Sequence, residues 1–510
     1  MSLGVQLVAR IAMLSTLLAW QSCVGLSALI GSSNCACAIE PALGTGFDRV
    51  SSPLVRTDLR LQSSASCAAT SCHGGPRPGV ADALASGGAE YPLWFERDPH
   101  ALSWRTFCSE ASVAIMERLQ IMRFGEIIDR AGYDNCLACH NTTKQFMDRR
   151  SVEHLREGVG CSSCHGPSER WRSTHYQMHW DAYRAVADGF VPAGNMLVRA
   201  RMCASCHVGD RDRDMNHDII AAGHPALHYE FATFHQRLPK HWRDSSAVNL
   251  ERYEASQWLA GQFAALDASL VLLESRADRA LPISQWPELA AYNCTACHQH
   301  LRIGNSYAAG QSSSGVAEFS HWNRVGVEEL MRLRLAEGRS PGQDKRLVAA
   351  LSNLTLAMES THSSADKSKQ AARETRLALD AWLTSPQGIV ELNHFNADRL
   401  RAVAVSAGKQ RLNLENWETA SQFYLASVAA RQSWPRLFVD GQPTTLHSSS
   451  QDLLSPLRSA RGLRDALTFQ MGTSSPQLPI GRFSADAPQT HLRAIEAIRP
   501  LEAPGFVPAP

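Results

Sequence analysis

The chain has 510 residues, more than one ordinary domain holds, so two or three compact regions are expected. Hydrophobic residues make up 44% and charged residues 19%, the balance of a globular protein. The net charge is +1 and no basic run stands out, which excludes nucleic acid as an expected partner.

Residues 1–38 read as a signal peptide. Arg10 supplies a short positive start, Ile11 to Ile30 is largely apolar, and no charge appears again before Glu40. Ala36-Cys37-Ala38 has the small-x-small form of a cleavage site, with the cut after Ala38. The apolar stretch is about 20 residues, enough to span a bilayer, so an uncleaved N-terminal membrane anchor is the alternative. A lipidated Cys23 is disfavoured, because Trp20 stands where such a site wants Leu. Residues 39–66 are polar, lack periodicity and read as a linker.

Residues 67–225 carry four cysteine motifs in close succession. The first is wide: Cys67-Ala-Ala-Thr-Ser-Cys72-His73. The next three are Cys136-Leu-Ala-Cys139-His140, Cys161-Ser-Ser-Cys164-His165 and Cys203-Ala-Ser-Cys206-His207. A fifth, Cys294-Thr-Ala-Cys297-His298, follows downstream. Two thiols at this spacing add across the two vinyl groups of one porphyrin, and the next residue turns its imidazole onto the iron. A zinc site also uses paired cysteines but has no need of a His after every pair. Here all five pairs have one, although His is only 20 of 510 residues. The pattern therefore reads as five covalent haem c groups. For the wider first motif, a disulfide between Cys67 and Cys72 is the alternative. Of the remaining cysteines, Cys23, Cys35 and Cys37 lie in the leader, and Cys108 reads as a small buried side chain.

Each iron has a second axial position, filled by His or Met or left open for chemistry. Four further histidines are the leading candidates to ligate metal: His100, His175, His217 and His224. The last two lie seven apart, a spacing that would put them on one helical face. His154, His179, His228, His235, His241, His300 and His321 complete the nearby pool. His362, His394, His447 and His491 lie in the haem-free region and read as surface residues.

Residues 226–310 begin with a stretch rich in His and aromatics, suited to lining a haem. A helix follows on which Leu259, Phe263, Leu266, Leu270 and Leu273 form one apolar face, and then the fifth motif. Residues 321–475 contain no motif and read as a helical bundle. Leu347, Leu351, Leu354 and Met358 keep helical spacing, 367–383 and 415–431 read as helices, and Asn416 is placed to cap the latter. If this bundle is only a cover, ending the chain near residue 320 leaves haem content intact. Residues 476–510 are rich in Pro and Ala and read as a loosely ordered tail.

The order of these features resembles the cytochrome c-554 family, the tetrahaem proteins of ammonia-oxidising bacteria. The features are Cys67–His73, Asp98–Trp104 with its His100-Ala101 pair, Cys136–His140, then Gly158-Val159-Gly160-Cys161–His165-Gly166-Pro167 with His175, and Cys203–His207. The resemblance implies that His100 faces the iron of His165, that His175 faces the iron of His73, and that the haem of His140 is open. The fifth motif and the strings Asp214–Pro225 and Trp286–Cys294 resemble extended five-haem relatives of planctomycete type.

The expected fold is mainly α: a multihaem cytochrome c domain of short helices and loops around stacked haems, plus the C-terminal bundle. The expected function is periplasmic electron transfer with redox protein partners, a periplasmic oxidoreductase or a membrane electron acceptor. The alternative is an oxidoreductase acting on a small nitrogen or sulfur compound at an open His140 haem. No substrate-activating constellation beside that motif is recognisable, and a structural subunit of a larger redox complex is a third reading.

Overall fold

Caps decide where the short helices begin, and in three cases the haem motif decides where they end. Asp129 accepts the N–H of Ala131 at 3.0 Å to open one, and Asn195 accepts those of Leu197 and Val198 at 3.0 and 3.1 Å to open another. In this computed structural model the described residues are 59–75, 88–142, 156–242, 250–280, 286–294, 316–338, 341–409, 416–432, 438–439 and 442–443, all within Phe47–Pro510. The signal, the Cys297–His298 part of the fifth motif, His154, His300, His447, His491 and the tail lie outside them.

The first half is a run of short helices: α1 (Glu90–Arg97), α2 (Ser103–Phe107), α3 (Glu110–Arg118), α4 (Arg130–His140), α5 (Cys161–His165), α6 (Ala182–Ala187), α7 (Met196–His207), α8 (His217–Ala221) and α9 (Phe231–Arg237). Helices α4, α5 and α7 each finish on a motif histidine. A two-residue hairpin pairs Met122–Arg123 with Glu126–Ile127. Residues 59–66, the end of the expected linker, pack onto the third motif. Leu59 and Ser64 are buried, and Cys161 N–H donates to Ser64 Oγ at 2.9 Å.

Helix α10 (Leu250–Arg279) is the spine. The five apolar positions expected to form one face are all buried, but so are Trp258, Ala260, Gln262, Ala264 and Ala265. A helix buried all round must be wrapped on every side. Helices α7 and α9 cover one side, where Ala200 and Ala204 meet Ala260 and Ala264. Six later helices continue the core: α11 (Val325–Ala336), α12 (Pro341–Met358), α13 (Ala365–Leu383), α14 (Pro386–His394), α15 (Ala397–Lys409) and α16 (Trp417–Gln432). Of these, α13 and α16 pack on α10, while α12 packs on α13 and α15 on α16. Phe263 stacks on Trp382 with ring centres 4.9 Å apart, and Trp258 on Phe395 at 6.3 Å. One apolar core thus runs from Ala232 to Ala430, across the boundary drawn between haem region and bundle.

Charges inside this core are matched. Arg334 is paired with Asp344 and Glu391, and Trp382 Nε1–H donates to Asp344 Oδ1 at 2.6 Å. Buried Glu418 accepts from Ser320 Oγ and from the N–H groups of His321 and Trp322, which pins the bundle's first residues to α16. Asn416 caps α16 as expected, its Oδ1 accepting from Thr419 N–H at 3.1 Å, while its Nδ2 donates to Glu318. Asn416→Ala is expected to cost about 1 kcal/mol of stability, read as a lower midpoint of the helical circular dichroism on heating. Among the described residues no helix is long and apolar enough to cross a membrane.

Candidate haem centres

Four motif histidines each face a histidine from elsewhere in the chain. Ring centres lie 6.0 Å apart for His73 and His175, 6.3 Å for His140 and His224, 6.2 Å for His165 and His241, and 6.1 Å for His207 and His100. His175 therefore meets His73, the partner implied by the resemblance. His100 does not meet His165. It faces His207, and His165 is faced by His241 instead. Nor does His140 look onto an open side, because His224 stands opposite it.

The Gly158-Val159-Gly160 string shows how these pairings are built. Gly158 has φ +71°, and a side chain there would meet the His100 carbonyl at 2.7 Å, so only glycine allows the approach. Val159 N–H then donates to the His100 carbonyl at 3.0 Å, and Trp94 Nε1–H donates to the Val159 carbonyl at 3.1 Å. Ser103 Oγ lies 2.7 Å from the His100 carbonyl and 2.9 Å from that of His140. Motif three is thereby locked to the turn bearing His100 and to the end of motif two. Gly166, at φ +79°, approaches the Gly189 carbonyl so closely that a side chain would sit 2.2 Å from it.

His217 and His224 do not share a helical face. Helix α8 stops at Ala221, and Gly223 at φ +114° turns the chain away. Arg118 holds that turn by donating to the Ala222 carbonyl at 2.6 Å. His224 is thus directed to His140, while His217 N–H donates to Glu288 at 2.8 Å, just ahead of the fifth motif. Asp214 is gripped by Arg276 and Arg279 from the end of α10.

The ring hydrogen bonds orient these imidazoles. His73 Nδ1–H donates to Glu90 at 3.0 Å, His100 to Asp98 at 2.9 Å, His175 to the Arg172 carbonyl at 2.9 Å and His224 to the Pro225 carbonyl at 2.9 Å. Each bond occupies Nδ1 and leaves the Nε2 lone pair for a metal. Burial, reinforced by the facing His241, pulls the His165 imidazole down to about 4, and burial with His100 alongside does the same for His207. Neutral imidazole is the form that binds iron. Burial pushes Glu90 up, but its bonds to His73 and to Gly88 N–H prevail and hold it near 2.

Thiols also meet across motifs. Cys67 lies against Cys161, and Cys139 against Cys206. These residues fit haem. A metal–nitrogen bond of about 2 Å on each side, plus half of each imidazole ring, separates ring centres by about 6 Å. Four independent pairs stand at that separation, each beside two cysteines. Residues 68–166 match the protein family described as Cytochrome c554 and c-prime. Over these residues the chain is similar to that family. The chain is therefore a c-type cytochrome, with haem c held covalently through cysteine thiols. The cytochrome c554 match takes in the second and third motifs, and the first from Ala68 onward. No curated protein and no solved structure matches the chain.

Around the matched segment, the His-rich stretch 226–242 supplies walls as well as a ligand candidate. Tyr229 stacks on His207 at 4.9 Å, and Phe234 meets the same ring at 5.3 Å. His235 is occupied otherwise, between Arg199 Nη1 at 2.9 Å and the Gln257 amide at 2.7 Å. His321 pairs with Glu318, and His179, His362 and His394 are exposed. His241 was the partner least visible in the sequence, and the aromatic stretch Tyr229–Trp242 was its only signal. Cys108, expected to be buried, is exposed at the end of α2, where the short helix leaves it uncovered. What burial it has raises its thiol, so it is not activated.

Proposed function

We propose that this protein is an exported five-haem c-type cytochrome that carries electrons in the periplasm and does no substrate chemistry of its own. The observation that carries the reading is the pairing of every described motif histidine with a second histidine at 6.0–6.3 Å. Bis-histidine iron is suited to one-electron exchange, the chemistry haem supplies when bound, and leaves no coordination position for substrate. The chain's part is to hold the centres close, orient the imidazoles and keep water away.

The sites are proposed residue by residue. Cys67, Cys72 and His73, then Cys136, Cys139 and His140, Cys161, Cys164 and His165, Cys203, Cys206 and His207, and Cys294, Cys297 and His298 would each hold one haem. His175, His224, His241 and His100 would complete the first four in that order. His217, fastened beside the approach to the fifth motif, is proposed for the fifth. The contact of Cys67 with Cys161 and of Cys139 with Cys206 supports stacking of the first haem on the third and the second on the fourth. Partners would be a periplasmic oxidoreductase and a membrane or soluble redox protein. The reading of a reactive haem at His140 loses support from the His224 ring.

A pyridine haemochrome assay against protein mass tests the count, and EPR of the oxidised protein tests the ligation. The expected result is five haems per chain, all low spin. A high-spin signal that shifts on adding nitric oxide would return the enzyme reading.

A further inference from the structure

The ring hydrogen bonds at the haem centres are of two kinds. At two centres the acceptor is a carboxylate: Glu90 Oε2 for His73 at 3.0 Å and Asp98 Oδ1 for His100 at 2.9 Å. At the His140 centre it is a backbone carbonyl, that of Pro225 for His224 and of Ser103 for His140. Both carboxylates are held in place. Glu90 also accepts Gly88 N–H at 3.0 Å, and Asp98 accepts His100 N–H at 2.9 Å. Asp98 is 4% exposed, so little water screens its charge.

A carboxylate bond to an imidazole is charge-assisted and roughly twice as strong as one to a neutral carbonyl. Drawing the Nδ1 proton toward a full negative charge makes the ring a more basic ligand, which favours iron(III) over iron(II). Among the described residues no carboxylate is hydrogen-bonded to either ring of the His165–His241 pair, and Asp98 and Glu90 act on His241 only through space.

We propose that Glu90 and Asp98 are positioning residues that hold the His73 and His207 centres at lower potential than the His140 and His165 centres. This rests on the ligation given under Proposed function. The thiol contacts group the centres in two pairs, Cys67 with Cys161 and Cys206 with Cys139. Within each pair the potentials are then unequal, low at His73 and high at His165, low at His207 and high at His140. The first two electrons to enter settle one in each pair, on the His165 and His140 centres.

The test is a spectroelectrochemical titration of the full-length haem-loaded protein at one pH, comparing wild type with Asp98→Asn and Glu90→Gln. Asn keeps the acceptor oxygen and the cap while removing the charge. In each variant one centre is expected to shift upward, with its reduced-to-oxidised ratio at the wild-type midpoint rising about tenfold. The two variants should move different centres, with haem content and low-spin EPR unchanged. Midpoints that stay put or fall, in protein that keeps its haems and its low-spin signals, overturn the proposal. If Asp98→Asn does not accumulate, Glu90→Gln alone decides. Failure of the ligation reading shows up differently, as high-spin signals or missing haem in the unmutated protein.

Discussion

Replacing His224 by alanine is expected to convert one haem per chain from low spin to high spin and to open it to carbon monoxide or nitric oxide. Wild type should bind neither. The His224 ring stands 6.3 Å from that of His140, aimed by its own bond to the Pro225 carbonyl and by the turn at Gly223. The turn is held from outside by Arg118, so losing the imidazole leaves the backbone where it is. The vacated position then has no protein ligand, and an iron with one open coordination site takes up diatomic ligands, about one per chain. Added imidazole should restore the low-spin spectrum, which separates loss of a ligand from loss of the fold. A variant that stays low spin would mean that another side chain holds the sixth position, and His224 would drop out of the site. The variant also creates, in one step, the open site that the resemblance implied for this centre. Comparing it with wild type measures what His224 suppresses.

Attachment chemistry was legible in the residues because it is local. A thiol pair and the next histidine serve one porphyrin, so spacing alone carries the signal. Pairing of the second histidines was less so, because it depends on which loops meet. His175 lies a short way beyond the third motif in a recognisable string, and it meets His73 as the resemblance implies. His100 sits in an equally recognisable turn, yet Gly158 and Ser103 dock that turn so that its ring faces His207. The seven-residue spacing of His217 and His224 invited a helix that Gly223 ends. His241 has no string of its own, and only packing against His165 distinguishes it from its neighbours. In the C-terminal half, helical periodicity located Leu347–Met358 and the helix capped by Asn416 correctly. It showed one face of α10 and missed the others, because alanines and glutamines on those faces carry no periodic signal even though they are buried.

Ending the chain at residue 320 is expected to abolish the folded protein, not merely to trim a cover. Helix α10 keeps α7 and α9 on one side but loses α13 and α16 on the other. Phe263 loses Trp382, Trp258 loses Phe395, and Leu266, Leu270 and Leu273 face water. Leaving a buried aromatic unpacked costs about 3–5 kcal/mol, so two of them already match the whole stability of an ordinary domain, about 5–15 kcal/mol. The approach to the fifth motif would go as well. Tyr292 donates its hydroxyl proton to the Met358 carbonyl at 2.9 Å, while Glu318, which accepts from Asn293, loses its contacts to His321 and Asn416. The loss reaches the fourth motif too, since Cys203–His207 forms the end of α7, whose alanines rest on α10. Haem per chain and sedimentation of the 1–320 fragment measure this. The expected material is aggregated or haem-poor, whereas a soluble monomer with its full haem complement would show that the helices after residue 320 are a separable cover. On the packing seen here they are the other half of the wall against which the fourth and fifth motifs are built.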